Sequence, residues 1–143
     1  MTHEGSIISS GKVCLPSFPG ISNIDSGDVH QKNTDLTINW SAVSNATAID
    51  VTIEEDITYE QYSSGLLPPI TTSHTIPSSF FNLSSEWSDT AECVITVTAY
   101  YGISPDVEYQ SLDSTNLGYN INGSAGSFMG VNGDETTIYC LLY

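Results

Sequence analysis

The chain has no arginine and only two lysines, Lys12 and Lys32, against 17 Asp and Glu, giving a formal net charge of -15 over 143 residues. Affinity for DNA or RNA depends on cations that displace counterions condensed on phosphates, so nucleic acid is excluded as a partner. An acidic membrane surface would repel such a chain in the same way. Long apolar runs are missing too: nothing approaches the roughly 18 residues of a membrane span, and no membrane insertion is expected. The start, MTHEGSIISSGKVCLP, lacks a basic segment followed by a long apolar one, so no secretory signal is visible in it. Cysteine is scarce. Cys14, Cys93 and Cys140 fit no CxxC-type zinc spacing, and at least one thiol of the three stays unpaired in a monomer. Cys93 reads as a small buried hydrophobe, while Cys14 and Cys140 can bridge only if the two ends of the chain meet.

What is abundant is hydroxyl. Serine and threonine number 36, while only 13% of residues are charged. Solubility therefore rests on hydroxyl groups more than on ion pairs, a β-rich and surface-displayed style of composition. With 39% hydrophobic residues, one domain of this length buries roughly two thirds of its extended surface and needs neither metal nor disulfide to fold. The acidic balance keeps the chain soluble and suits docking on a basic partner surface.

Period-two alternation is the main structural signal. Leu36, Ile38 and Trp40 alternate with Asp35, Thr37 and Asn39; after the turn SAVSNAT, Ile49, Val51 and Ile53 alternate with Asp50, Thr52 and Glu54. Cys93, Ile95, Val97 and Ala99 do the same within a longer strand closed by YYG. These ten apolar residues are the expected core. Pro68, Pro69 and Pro77 confine strands between them to edges, with short pieces expected at Ile57 to Tyr62 and Thr72 to Ile76. A first edge strand is expected near Val13 to Leu15, and a further strand over 106–113. Five glycines lie between 118 and 133, and the Asn-Gly steps at 122 and 132 predict hairpin turns. No window keeps a helical period and no repeat is apparent, so the chain reads as all-β.

LTINW, the turn containing SNAT, AIDVTI and ITVTAYYGIS together resemble a fibronectin type III or related immunoglobulin-like domain over roughly residues 30 to 112. In that family a tryptophan on the second strand packs in the core, as Trp40 would here; Val51 and Ile53 match the third strand, and Val97, Ala99 and Ile103-Ser104 approximate the sixth. Cys93 stands where the family has its corner tyrosine, and SSEWSDTAE is longer than the usual corner, so the hydrogen bond of the tyrosine corner is not implied. The resemblance implies a two-sheet antiparallel β-sandwich at 31–112. An N-terminal arm and first edge strand at 1–30 would precede it, and a Gly-rich β extension at 113–143 would follow, available for assembly through the apolar IYCLLY stretch.

Chemistry is harder to find. His3, His30 and His74 are scattered, no GxSxG, HExxH, P-loop or GxGxxG string occurs, and no nucleophile stands beside a base, so no enzyme, cofactor or metal is expected. Carboxylates gather at Asp25 and Asp28, at Glu54 to Asp56 and at Asp134 and Glu135, a composition from which calcium ligands are drawn, but without an EF-hand pattern. Aromatic residues are the better candidates. Trp87, Tyr59, Tyr62, Tyr100 and Tyr101 would make a stacking platform for sugar rings or anchors on a protein, and Tyr139, Leu141 and Tyr143 are further interaction candidates on a last strand, TTIYCLLY, that is apolar on both faces. Asn45, Asn82 and Asn122 are candidate glycosylation acceptors, whereas the sequon at Asn39 lies inside an expected strand. The reading is a non-enzymatic structural or interaction domain of a virion surface, as a capsid decoration or cement protein, or of an extracellular appendage. Its partners would be other protein subunits, like or unlike. The alternative is a carbohydrate-binding or adhesion module.

Overall fold

Alternating side chains point to opposite faces of a strand, and in this chain the alternation follows burial closely: Ile49, Val51 and Ile53 are buried on one strand, and Ala91, Cys93, Ile95, Val97 and Ala99 on another. The computed structural model describes residues 15–86, 88–102 and 130–142, together with the backbone of 10–11 and 121–122. All regular structure among the described residues is β. The strands are β1 (Ser10–Gly11), β2 (Val29–His30), β3 (Leu36–Asn39), β4 (Ala48–Glu55), β5 (Gln61–Ser63), β6 (Ser73–Ile76), β7 (Thr90–Tyr101), β8 (Ile121–Asn122) and β9 (Gly130–Leu141). A curled five-stranded sheet runs in the order β2-β9-β7-β4-β5, with two small ladders, β3-β6 and β1-β8.

One core unites the large sheet with the β3-β6 ladder. Its inner side chains come from β4, β7 and β9, from Ile38 and Ile76, and from Trp40, Phe81 and Leu83 beyond the strands. Each large aliphatic group buried there stabilises the fold by about 1.5–3 kcal/mol relative to exposure. Of the ten expected core residues nine are buried, and Leu36 is half-buried near the open end of the β3-β6 ladder. Trp40 is among the buried ones, and its indole Nε1 has no hydrogen-bond partner.

Several expectations need correction. The segment 113–143 was expected to lie beyond the main β unit; instead it supplies β9, hydrogen-bonded to β7 over all twelve of its residues and to β2 on its other side. The strand is therefore built into the sheet. Nor is the sheet wholly antiparallel: Val29 and His30 run parallel to Tyr139 and Cys140, which a long connection permits where a hairpin would not. The Asn132-Gly133 step makes no turn. It lies within β9 opposite Ala99 and Thr98, and Gly133 has no positive φ. Glycine serves there for close approach, since an added Cβ would sit 3.2 Å from the Val97 carbonyl oxygen. Leu15 is exposed and outside any strand, and the edge piece expected at 57–62 begins later, as β5. The expected strand at 106–113, the Asn-Gly step at 122–123 beyond Asn122, and Val13 and Cys14 lie outside the described residues.

The edges are closed by side chains more than by strands. Beside β5, Ser64 Oγ accepts the Val51 N–H at 2.9 Å where the ladder bulges, and pairing resumes at Leu67 with Ile49 before Pro68 and Pro69 end it. Asn23 does the same for β3: its Nδ2 donates to Thr37 O at 2.8 Å and its Oδ1 accepts from Asn39 N at 2.7 Å.

Candidate functional site

Because odd-numbered residues of β4 and β7 face the core, even-numbered ones face outward. In β9 the parity is reversed. Thr52 and Glu54, Glu92, Val94 and Thr96, and Glu135 therefore share the outer surface of the sheet. With Gln61 and Ser63 of β5 and Asp56 and Tyr59 of the β4-β5 turn they line an open groove of about 660 Å³.

The wall of this groove is set by one buried acid. Glu55 continues the inward register of Ile49, Val51 and Ile53 and is only 1% exposed. Its Oε2 accepts the Ile57 N–H at 2.9 Å; its Oε1 accepts the N–H groups of Thr58 at 2.6 Å and Glu60 at 3.1 Å, and also the Thr58 hydroxyl. Burial alone would raise its pKa. The Thr58 hydroxyl and the three backbone donors outweigh that, holding the carboxyl below its ordinary value. The carboxylate thus fixes the turn in which Tyr59 takes φ of 60° and leaves its side chain 72% exposed. Asp56 closes the other end, its Oδ1 accepting the Glu92 N–H at 2.9 Å while its own N–H donates to Glu92 O at 3.0 Å. Gln61 Nε2 donates to Glu54 Oε2 at 2.6 Å.

The expected aromatic platform does not assemble. Tyr100 and Tyr101 are consecutive on β7 and so face opposite sides of the sheet; both are half-buried. Tyr62 turns inward, where its hydroxyl meets His74 Nε2 at 2.7 Å and its ring lies near Phe80. Burial lowers the His74 pKa against the opposing pull of Asp50. Tyr59 and Tyr62 both line the groove, and of these two only Tyr59 is exposed. Tyr139 is exposed on the outer face opposite Glu92 and beside Val29, and Leu141 is half-buried opposite Thr90. Trp87 and Tyr143 lie outside the described residues. Asn45 and Asn82 are exposed, Asn45 in a turn at φ 59°, and Asn122 belongs to β8.

The acidic groupings disperse as well. Glu54 and Glu55 point to opposite faces, Asp28 Oδ2 accepts the Asp25 N–H, and half-buried Asp134 accepts the Ile21 N–H at 2.7 Å while Glu135 faces the groove. No group of three or more His, Cys, Asp or Glu among the described residues is arranged to hold a metal ion. His30 donates to or accepts from Thr34 and packs 4.3 Å from the Phe81 ring. Glu55 was open to discovery from the sequence: the alternation that ends at Ile53 places the next inward residue on it. The groove-lining Thr52, Gln61, Ser63 and Thr96 carry no such signal, because hydroxyl and amide residues are too common here to be distinctive.

The fold and site together define an all-β domain with a carboxylate- and hydroxyl-lined outer groove. Comparison with known proteins finds no matching family model, no matching curated protein and no matching solved structure. No helix among the described residues is long and apolar enough to cross a membrane.

Proposed function

We propose that the chain is a non-enzymatic interaction domain of immunoglobulin-like or fibronectin type III-like sandwich design, with the five-stranded sheet and the β3-β6 ladder as its facing layers. It acts as a component of a virion surface, in the manner of a capsid decoration protein, or of an extracellular appendage, and contacts neighbouring subunits through the outer groove. The observation that carries this reading is the groove itself: Glu54, Glu92 and Glu135 project from three adjacent strands onto one surface, in a chain with only two lysines to answer them. Such a surface selects a cationic face on another protein and repels a second copy of itself.

Carbodiimide coupling tests it directly, because the reagent joins carboxylates to amines and this chain has few amines of its own. In the assembly from which the protein is isolated, crosslinks from Glu54, Glu92 and Glu135 to partner lysines are expected. The triple exchange of these three to Gln should leave folding within about 0.5 kcal/mol and release the protein from the assembly. Crosslinks confined to other carboxylates, or a triple variant that stays bound, would overturn the proposal.

One observation favours the second reading, a carbohydrate-binding module. The exposed Tyr59 ring stands over a groove that also offers Gln61, Glu54 and Ser63, the pairing of a stacking face with hydrogen-bonding groups that sugars require. Oligosaccharide binding on a glycan array that disappears in Tyr59→Ala would support it.

A further inference from the structure

Cys93 and Cys140 are two of the three cysteines in the chain, and the fold sets both on the inner face of adjacent strands. Cys93 of β7 lies opposite Ile138, and Cys140 of β9 lies opposite Ala91, so the two occupy diagonal positions one pair apart on the same face. Both are buried and unbridged. We propose that Cys93 and Cys140 form a cross-strand disulfide when the protein meets an oxidising environment, with Cys14 left as the free thiol. This is a covalent modification site independent of the groove.

The geometry permits it. Diagonal neighbours on an antiparallel ladder have Cα atoms about 7–8 Å apart with Cβ atoms closer, just beyond the roughly 6.8 Å that a disulfide accepts, so the bond forms with a local shift of the backbone. The Cys93 thiol donates to the Ala91 carbonyl oxygen at 3.9 Å, and the neighbouring Cys140 side chain, followed by burial, pushes the Cys93 pKa far above its ordinary value. Closing the bond requires a displacement of about 1–2 Å, at a place where β9 is one residue from its end. This end is paired to β7 and β2 and followed by buried Leu142, whose N–H donates to Asp89 O, so exposure of Cys140 takes a cooperative opening of the end of β9 and oxidation is correspondingly slow.

That position also sets the order of events. A protonated, enclosed Cys93 is a poor nucleophile, whereas Cys140 is exposed when the end of β9 opens. The Cys140 thiolate, its proton released to water, attacks one sulfur of a small-molecule disulfide such as oxidised glutathione; that S–S bond breaks and one glutathione thiolate leaves. On reclosure the Cys93 thiol gives up its proton, and its sulfur attacks Cys140 Sγ, forming the internal bond and expelling the second glutathione thiolate. Two protein thiols are oxidised, one glutathione disulfide is reduced to two thiols, and the two protons end on the departing thiols.

Incubation of the full chain with oxidised glutathione, followed by blocking of free thiols, digestion with a Glu-specific protease and non-reducing mass spectrometry, tests the proposal. The expected result is a peptide pair linked through Cys93 and Cys140 with Cys14 alkylated. The intact mass falls by about 2 Da, and Tm rises by roughly 10 °C, as closing a loop of this length predicts. Cys14→Ser should behave as the parent does. A product that stops at glutathionylated Cys140, linkage of Cys14 to either partner, or free thiols at both 93 and 140 after prolonged oxidation would overturn it. These readouts come from the parent chain and do not depend on whether a core cysteine variant folds.

Discussion

The inner face of the large sheet is apolar across its middle and polar at two opposite corners, and the corners are made differently. Across the sheet, Glu55, Cys93 and Ile138 form one row; Ile53, Ile95 and Thr136 the next; then Val51, Val97 and Asp134; then Ile49, Ala99 and Asn132. Polarity thus enters β4 at one end and β9 at the other. At the first corner Glu55 is satisfied by donors two, three and five residues away, within its own turn. At the second, Asp134 accepts the N–H of Ile21 from 113 residues away, and Asn132 Nδ2 donates to Pro16 O at 3.2 Å. One corner shapes a loop. The other docks the N-terminal segment onto the final strand and so closes the domain. Buried polar groups must find partners, and where they find them decides whether they organise local or global structure.

Removing the first corner should have the largest effect. Glu55→Ala removes the buried acceptor of three backbone donors and a hydroxyl in a turn whose own residues 58–60 are exposed, at a cost of about 2–3 kcal/mol by chemical denaturation, and Tyr59 should lose its fixed environment at the same time. Glu55→Gln should cost nearly as much, because an amide NH2 would face donors. The effect depends on pH with a definite sign. The folded carboxyl titrates below its ordinary 4.5, so its contribution is complete above that value and is lost as pH falls through the lowered one. The stability gap between parent and Glu55→Gln should therefore narrow on acidification. A gap that holds constant down to pH 2 would show that the charge is not what holds the turn.

The second corner should respond less in energy and more in reach. Asp134→Ala removes two charge-assisted hydrogen bonds at a half-buried site, the long-range one from Ile21 N–H and an exposed local one from Glu135 N–H, for about 1.5–2 kcal/mol. Hydrogen exchange should lose protection at Ile21, and at Ser22 and Ser41, whose N–H groups donate to Asn39 O and Gly20 O on either side of the Ile21–Trp40 bridge, while Trp40, whose N–H donates to Thr72 O, and the 57–60 turn keep their protection. Glu55→Ala should give the converse pattern. Since the two corners share no hydrogen-bond partner, the double variant should be additive within about 0.5 kcal/mol. A larger coupling would mean the corners are not separate devices.

The contrast also explains how far the sequence could be read. Where the core face is apolar, at Ile38, Ile49 to Ile53 and Cys93 to Ala99, alternation alone locates the strand and its inward side. Where it is polar, alternation is silent. VNGD presents polar residues on both faces and reads as a hairpin turn before the β-prone TTIYCLLY, yet it lies within β9, because Asn132 and Asp134 find backbone partners more than a hundred residues away. No local pattern encodes those partners. β2 is missed for a related reason: two residues paired in parallel with a distant strand leave no periodicity to detect. The outer groove was legible only in fragments, since Glu54, Glu92 and Glu135 are brought together by strand order, which alternation does not determine.

Gly133 gives the smallest effect and the sharpest distinction between these two readings of β9. If Asn132-Gly133 were the hairpin turn its sequence suggests, the glycine would hold a positive φ, and Gly133→Ala would cost more than about 1 kcal/mol. In the strand found here its φ is not positive, so alanine gains about 0.4–1 kcal/mol from the less flexible unfolded chain. Against this stands an approach of 3.2 Å between the new Cβ and the Val97 carbonyl oxygen, a crowding that a shift of a few tenths of an ångström relieves. The two terms nearly cancel, and Gly133→Ala should lie within about 0.5 kcal/mol of the parent in urea denaturation, while Gly133→Val, with bulk added at the same contact, should fall below it. A loss above 1 kcal/mol for alanine alone would return residues 132–133 to a turn and detach the polar half of β9 from the sheet.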